Sequence, residues 1–275
     1  MNRYSSCCVL SCLLMLICGI MTSCMSDDKW NGITFCEVQK SEQFTEELDD
    51  DDDDDFAALH NDGEREFDVQ VNMQFMQPSN DGNEEVCRLI NAQIIEMLLN
   101  QSRKLPAEEA VEGYIKRVKS IFQRDQMSRE YVDHIEGKAE YGFENVINYR
   151  MTQNVFSGGA HPSTMTTILR FNALTGDFIS LDNVFPSSSH AALVDLLTAK
   201  LMRDNKVKTI EELHEKGYLE FMDMFVTTNF ALRKDSIEFC YNEYDIAPYS
   251  NGSTTISLGY AAVEPLMNTI AEDDK

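Results

Sequence analysis

The stretch "FDVQVNMQF" at residues 67–75 places the strictest limit on how this chain folds. Phe67, Val69, Val71, Met73 and Phe75 alternate with polar residues at every second position. Successive side chains of a β-strand point to opposite faces of its sheet, so this alternation predicts a strand with one face buried and the other in solvent. The chain therefore contains a sheet that is covered on one face only.

Two segments after this strand repeat their apolar residues at helical spacing. Residues 83–98 begin with Asn83, a residue that suits a helix N-cap, followed by Glu84 and Glu85 in the electropositive first turn. Pro106 suits the start of a second helix. A weaker strand is predicted at residues 33–38. Together these elements define an N-terminal α+β module at residues 33–130.

From residue 138 the apolar period returns to 2, which predicts one long strand to Phe156 and another at residues 165–171. "LTG", ending on Gly176, is typical of a hairpin turn. Helices are predicted around residues 193–202 and from Thr209, and three short strands close the chain. We therefore expect a C-terminal α+β module at residues 138–270, so that the whole chain has two modules of antiparallel sheets with helices packed on one face.

The N-terminus has the form of a lipoprotein signal peptide. An apolar run from Cys8 is too short to cross a hydrocarbon core of ~30 Å and ends in "MTSC", in which small residues precede Cys24. This pattern predicts cleavage after residue 23, lipidation of Cys24 and a tether at residues 24–32. The alternative is a plain secretory signal with an incidental cysteine. "SDDK" at residues 26–29 resembles the acidic tag of surface-exposed outer-membrane lipoproteins, so we expect an envelope protein anchored in the outer membrane.

Residues 46–66 contain seven consecutive aspartates, at positions 49–55. Adjacent carboxylates repel one another and have nothing apolar to bury, which predicts a disordered acidic loop between two strands. A weak calcium site is the functional alternative. The segment lacks the alternating ligands and the turn glycine of an EF-hand loop.

Charge and residue usage exclude several classes of function. The formal net charge of −24 opposes binding to nucleic acid and favours cationic partners. The five histidines are scattered, and none has a second histidine or cysteine at ligand spacing, so we predict no metal centre and no cofactor. The lipid anchor is then the expected link to the membrane.

The loop "SGGAHP" at residues 157–162 raises the question of catalysis. His161 has no carboxylate nearby in the sequence, and a GxSxG elbow is absent, so catalysis would need partners from elsewhere in the fold. The other interpretations are a ligand contact and a structural bend, since paired glycines mark bulges and crossings in strands. We predict no catalytic residue.

Three segments in order carry a resemblance to a known family: "GGAHP", "FNALTGDFISLDNVF" and the long closing stretch that contains "YDIAPYSNG". Residues 138–267 resemble domain of unknown function 3298, the C-terminal module of a lysozyme-sensing anti-sigma factor. Residues 33–130 resemble domain of unknown function 4163, which also precedes the catalytic domain of a peptidoglycan deacetylase. The resemblance implies an α+β fold of antiparallel sheets with packed helices.

The resemblance and the loop composition together favour a non-catalytic binding module. Its expected partner is a cationic protein such as lysozyme, or peptidoglycan fragments. The candidate contacts lie in two loops and are Gly158, Gly159, His161, Tyr244, Pro248, Tyr249 and Gly252. The alternatives are a hydrolase or deacetylase acting on wall glycan and a structural subunit of an envelope complex, because a shared fold does not decide function.

Lipidation of Cys24 is directly testable. The intact mass of the protein extracted from membranes should correspond to a chain that begins at Cys24 and carries acyl groups, and Cys24→Ala should release the chain from the membrane. A mature chain that begins at another residue, or a Cys24→Ala variant that stays anchored, would contradict the prediction.

Overall fold

The computed structural model describes residues 32–47, 64–79, 83–125 and 129–268. The strands are β1 (Ile33–Glu47), β2 (Glu64–Pro78), β3 (Glu130–Tyr141), β4 (Val146–Phe156), β5 (Ser163–Asn172), β6 (Phe230–Leu232), β7 (Ser236–Tyr241) and β8 (Thr254–Gly259). The helices are α1 (Glu84–Leu99), α2 (Ala107–Arg124), α3 (Leu181–Val184), α4 (His190–Asp204), α5 (Ile210–His214) and α6 (Tyr260–Val263). The predicted α+β class is confirmed. The predicted signal peptide, Cys24 and the aspartate run lie outside the described residues.

The first sheet has five strands in the order β1-β2-β3-β4-β5. β1 and β2 form a long antiparallel pair, and β3, β4 and β5 follow as an antiparallel meander. β2 and β3 run parallel, so this sheet is mixed rather than purely antiparallel. A parallel pair needs a crossover connection, and α1 and α2 supply it.

One face of the first sheet carries the main core. The five apolar residues of "FDVQVNMQF" are at most 1% exposed, as their alternation predicts. The two crossover helices pack on this face with the residues that repeat at helical spacing, including Ile90, Ile94, Val111, Val118 and Phe122. The opposite face of β2 carries polar side chains, so the predicted one-sided burial is confirmed.

The second sheet has three strands in the order β6-β7-β8 and its own hydrophobic cluster. α4 packs its apolar stripe of Leu193, Leu197 and Leu201 against this cluster. Phe230, Phe239 and Ile256 are fully buried beneath the helix. The two sheets and their separate clusters agree with an organisation in two modules.

Several predicted boundaries differ from the structure. The sequence suggested a junction between modules at residues 130–138, but β3 (Glu130–Tyr141) runs through this stretch. Strands from both sides of the predicted junction therefore share one sheet. The predicted long strand to Phe156 is two strands separated by a turn at residues 142–145, in which Glu144 has a φ of 47°. The strands β1 and β2 also extend into the predicted acidic loop, to Glu47 and from Glu64. Arg65 is buried there and its guanidinium bonds Glu46 at 3.0 Å.

The outer edge of β5 is paired by side chains of the second sheet rather than by another strand. The Thr166 N–H donates to Asn242 Oδ1 at 2.8 Å, and Asn242 Nδ2 donates to the Thr166 carbonyl at 3.1 Å. Two residues earlier on β5, the Thr164 N–H donates to Glu243 Oε2 at 3.3 Å. An unpaired sheet edge invites non-native association, and these side chains satisfy it within the chain.

Asn229 and Arg170 continue this pairing towards the other end of β5. Asn229 Oδ1 accepts from the Ile168 N–H at 2.8 Å, and its Nδ2 donates to the Thr166 carbonyl at 2.8 Å. The buried Arg170 guanidinium donates to the Ile168 and Phe230 carbonyls, both at 2.8 Å, and lies 3.8 Å from the Phe230 ring. Desolvation lowers the pKa of Arg170 to about 9. We call this set of contacts along β5 the seam.

Four charged side chains join β3, β4 and the second sheet beside the seam. Arg233 bonds Glu140 and Glu238, each at 2.7 Å, and Arg150 approaches the same two carboxylates at 3.4 and 3.6 Å. Such a partly buried network holds its members more firmly than an isolated surface pair, which contributes about 0–1 kcal/mol. The two sheets are therefore fixed to each other by polar contacts on several strands.

Asn148 on β4 offers a sensitive test of this attachment. It is fully buried, its Nδ2 donates to the Leu232 carbonyl at 2.9 Å, and its Oδ1 accepts from the Leu232 N–H at 3.0 Å. Asn148→Ala leaves the Leu232 N–H unpaired, at a cost of about 1–3 kcal/mol, and removes one of the two hydrogen bonds of the Leu232 carbonyl, worth about 1 kcal/mol, while the Phe143 N–H still donates to that carbonyl. We expect urea unfolding to show a fall in the free energy of unfolding of about 3 kcal/mol.

Asn154→Ala on the same strand is the matched control. Asn154 is partly exposed and donates to the Thr164 hydroxyl, which water can replace as a partner. Its loss should cost less than about 1 kcal/mol. Equal losses for the two variants would show that the Leu232 contacts do not hold the sheets together.

Candidate functional site

The "SGGAHP" segment is the tip of the hairpin between β4 and β5. Gly158 and Gly159 have φ values of 89° and 107°, a left-handed region that favours glycine. A Cβ at either position would meet open space, so the backbone conformation, and not crowding, requires glycine there. The loop is a turn that presents His161 to solvent, and it is not a bulge within a strand.

The loop between β7 and β8, residues 242–253, is held in shape by its own contacts. The Asn242 N–H donates to Asp245 Oδ2 at 2.7 Å, and the Tyr244 N–H donates to the Ala247 carbonyl at 3.1 Å. Tyr244 has a φ of 69°, which turns the chain and leaves its ring 55% exposed. Pro248 then leads into a 3₁₀ turn at Tyr249–Asn251, which ends at Gly252 with a φ of 67°.

The fold brings the predicted residues of these two loops together. The His161 and Tyr249 rings stack with centroids 3.6 Å apart and planes 17° apart, and Tyr244 lies 6.2 Å from Tyr249 in a stacked arrangement. The Tyr244 hydroxyl is 3.4 Å from His161 Nε2. We call His161, Tyr244 and Tyr249 the ring cluster. His161 is 83 or more positions from the two tyrosines in the sequence, so only the fold joins it to them.

Hydrogen bonds fix the orientation of the His161 ring. Its Nδ1 is 3.0 Å from the Pro162 carbonyl, and a carbonyl oxygen can only accept, so Nδ1 carries the donated proton. In the neutral ring Nε2 is then the acceptor for the Tyr244 hydroxyl. Among the described residues, the contacts of His161 are this proline, Tyr244 and Tyr249, and they include no carboxylate. The geometry suits a recognition surface.

A third segment, residues 216–225, adjoins the β7–β8 loop, and sequence reasoning missed it. The Leu219 N–H donates to the Ile246 carbonyl at 2.9 Å, and Asn251 Nδ2 donates to the Lys216 carbonyl at 2.9 Å. Phe221 is 86% exposed. Met222 and Phe225 are each 41% exposed. The signal for this segment was "YLEFMDMF", an apolar stretch with neither helical nor strand periodicity, whose side chains no single element can bury.

These three segments form one surface, which we call the loop face: residues 157–162, 216–225 and 242–252. It contains the four acidic residues Glu220, Asp223, Glu243 and Asp245 against the single basic residue Lys216. Exposed aromatic rings beside carboxylates are suited to an apolar and positively charged partner. No cluster of histidine, cysteine, aspartate or glutamate able to hold a metal occurs within the described ranges.

Comparison with known families bears directly on the second sheet. A model described as "Protein of unknown function (DUF3298)" matches residues 182–261, which include β6, β7, β8 and the loop that carries Tyr244 and Tyr249. Residues 182–261 form a DUF3298 domain. The predicted resemblance is confirmed for this part of the chain. The hairpin loop with His161 precedes the matched region.

Solved structures extend the similarity of fold beyond the DUF3298 domain. A DUF3298 family member from Bacteroides fragilis is 26% identical, covers 86% of this chain and 94% of its own, and has a TM-score of 0.74. A DUF3298 family protein from Pseudomonas aeruginosa PAO1 is 15% identical, covers 84% of this chain and 95% of its own, and has a TM-score of 0.53. The second shows likeness of fold alone. No curated protein matches the chain.

None of the described helices has the length and apolarity needed to cross a bilayer.

A second polar cluster lies in the core of the first sheet. Asp133 on β3 is fully buried, and its carboxylate accepts from the Tyr114 hydroxyl at 2.5 Å and from Gln153 Nε2 at 2.9 Å. Gln153 Nε2 also donates to the Tyr114 oxygen at 2.9 Å. Desolvation raises the pKa of Asp133, although both hydrogen bonds oppose this effect. Burial also raises the pKa of Tyr114.

The raised pKa of Asp133 predicts a pH dependence of stability. The folded state favours the protonated carboxyl, so this contribution to stability is present below the unfolded pKa of about 3.9 and is lost as pH rises through the higher folded pKa. Asp133→Asn keeps the shape and cannot ionise. Urea unfolding at a series of pH values should show the variant gaining stability relative to wild type from about pH 4 upwards.

Asp223→Asn, an exposed aspartate of the loop face, is the control for the loss of one carboxylate. It should leave the shape of the pH profile unchanged. The raised pKa of Asp133 would be contradicted if the difference in unfolding free energy between Asp133→Asn and wild type stayed constant with pH. It would also be contradicted if that difference shifted in favour of wild type as pH rises.

Proposed function

We propose that this protein is an envelope lipoprotein whose loop face binds a cationic protein without catalysing a reaction. In this proposal Cys24 carries the lipid that anchors the chain in the outer membrane, and residues 33–130 are a module related to domain of unknown function 4163. A lysozyme-like hydrolase is the partner that the resemblance suggests. The prediction that the chain is not an enzyme belongs to the same proposal.

The ring cluster is the observation that carries the proposal. Binding hot spots are enriched in tyrosine and tryptophan, because large rings bury apolar area with little loss of side-chain freedom. Here Tyr249 stacks on His161, and Tyr244 lies beside both, so the orientation of the Tyr249 ring is set before a partner arrives. A surface that is already ordered loses less entropy on binding.

The exposed residues of the 216–225 segment enlarge this surface. A phenylalanine that is 86% exposed leaves an apolar ring in water, and burial in an interface would remove that cost. The nearby Glu220 and Asp223 are exposed and carry negative charge. Such charges accelerate encounter with a cationic protein, while the rings determine how long the complex persists.

Association with lysozyme tests the proposal. The mature chain, extracted in detergent, should bind immobilised lysozyme in a surface plasmon resonance measurement. Rising salt should slow association and leave a measurable complex, since salt screens the charges but not the apolar contacts. Tyr249→Ala should raise the dissociation rate by about 30-fold, which corresponds to a hot spot of about 2 kcal/mol.

Two further variants separate the role of the rings from a general effect on the fold. Tyr249→Phe retains the stack with His161 and should bind like wild type. Leu174→Ala removes an exposed apolar side chain from the turn at the opposite end of β5, and should also bind like wild type. Absence of lysozyme binding at low salt, or identical dissociation rates for Tyr249→Ala and Leu174→Ala, would refute the proposal.

A further inference from the structure

A cavity of about 250 Å³ lies at the end of β4 and β5 remote from the loop face. It is lined by residues 143–146, the end of α3, the end of β6, the start of α6 and the residues that follow α6. β4 and β5 run for 11 and 10 residues between the two sites, so the cavity and the ring cluster occupy opposite ends of the same hairpin. A ligand in this cavity would therefore bind independently of any partner at the loop face.

The walls of the cavity are held by backbone hydrogen bonds between distant segments. The Phe143 N–H donates to the Leu232 carbonyl at 3.0 Å, and the Ala173 N–H donates to the Asn145 carbonyl. The Asn268 N–H donates to the Val184 carbonyl at 2.8 Å. The cavity is thus preformed, and a ligand would not have to order its walls.

The lining of the cavity is apolar at its base and uncharged except at one position. Phe143 and Tyr260 contribute two rings with centroids 4.8 Å apart, and aliphatic side chains such as Val146 and Ile179 complete the apolar part. Among the described residues that line it, Glu144 is the one charged side chain. An anionic ligand would be desolvated beside this carboxylate without a cation to pair with, so the cavity disfavours anions.

Two asparagines that line the cavity have amide groups whose oxygens are already bonded. Asn172 Oδ1 accepts from the Leu174 N–H at 2.8 Å and from the Thr175 N–H at 3.3 Å. Asn183 Oδ1 accepts from the Ser180 N–H at 2.8 Å and from its hydroxyl at 2.7 Å. The oxygens are engaged within the chain, while neither Nδ2 has a hydrogen-bond partner among the described residues. Each amide therefore offers its N–H groups to an acceptor on a ligand.

We propose that this cavity binds a single neutral sugar ring that carries an N-acetyl group. The acetamido carbonyl and the ring hydroxyls would accept from Asn172 and Asn183, and the apolar face of the sugar would pack on Phe143 and Tyr260. Ligand pockets for drug-sized molecules measure about 300–1,000 Å³. The smaller volume here selects one ring rather than an extended chain.

Titration of the ¹⁵N-labelled full chain with free N-acetylglucosamine, followed by NMR, tests the proposal. Saturable shifts should appear at the side-chain amides of Asn172 and Asn183 and at the backbone around Phe143 and Tyr260. Glucose lacks the acetamido group and should bind at least tenfold more weakly. Glucuronic acid carries a carboxylate and should cause no saturable shift at these residues.

Asn172→Asp and Asn183→Asp keep the acceptor oxygens that shape the turn and the start of α3, and replace the amide donors with a charged acceptor. Each should weaken binding of N-acetylglucosamine at least tenfold while leaving the rest of the spectrum unchanged. Asn100→Asp makes the same chemical change at an exposed position after α1 and should have no effect on affinity. No saturable shift with N-acetylglucosamine, equal affinity for glucose, or unchanged binding by both cavity variants would overturn the proposal.

Discussion

The pairing of β5 with side chains of the second sheet is the constraint on which the rest of this structure depends. Every second backbone amide of β5 faces away from β4, and Asn229, Asn242 and Glu243 accept hydrogen bonds from these groups. The buried Arg170 guanidinium donates hydrogen bonds to the Ile168 carbonyl of the first sheet and to the Phe230 carbonyl of the second. Buried backbone groups without partners are costly, so the seam holds the second sheet at one register along β5.

The seam also positions both sites. Asn242 and Glu243 begin the β7–β8 loop, and they bond β5 within four residues of the "SGGAHP" turn. This brings Tyr244 and Tyr249 to His161. At the other end of the hairpin, Asn148 attaches Leu232 to β4, and the same region encloses the cavity. The seam and the Asn148 contacts therefore position a solvent-exposed aromatic surface at one end of the hairpin and the cavity at the other.

Much of the fold could be predicted from local patterns. The alternation around Val71, the helical stripes of α1, α2 and α4 and the three closing strands all appear in the structure, because burial of one face imposes a period on the sequence. The turn at residues 142–145 and the exposed Phe221 segment were missed. Apolar residues fall on the same alternate positions before and after the short turn, so the pattern reads as one strand. The exposed segment has no periodicity to detect. The parallel pairing of β2 with β3 also left no local trace.

The sequence by itself determined which segments become strands and helices, the acidic balance of the surface and the residue types of the loops. It named His161, Tyr244 and Tyr249 as candidates, because glycine, proline and tyrosine mark shaped and exposed loops. The tertiary structure decided that these rings stack, that Asp133 is buried against Tyr114, and that Asn172 and Asn183 line one cavity. These contacts join residues far apart in the chain, and only the register of the seam and of the sheets sets their distances.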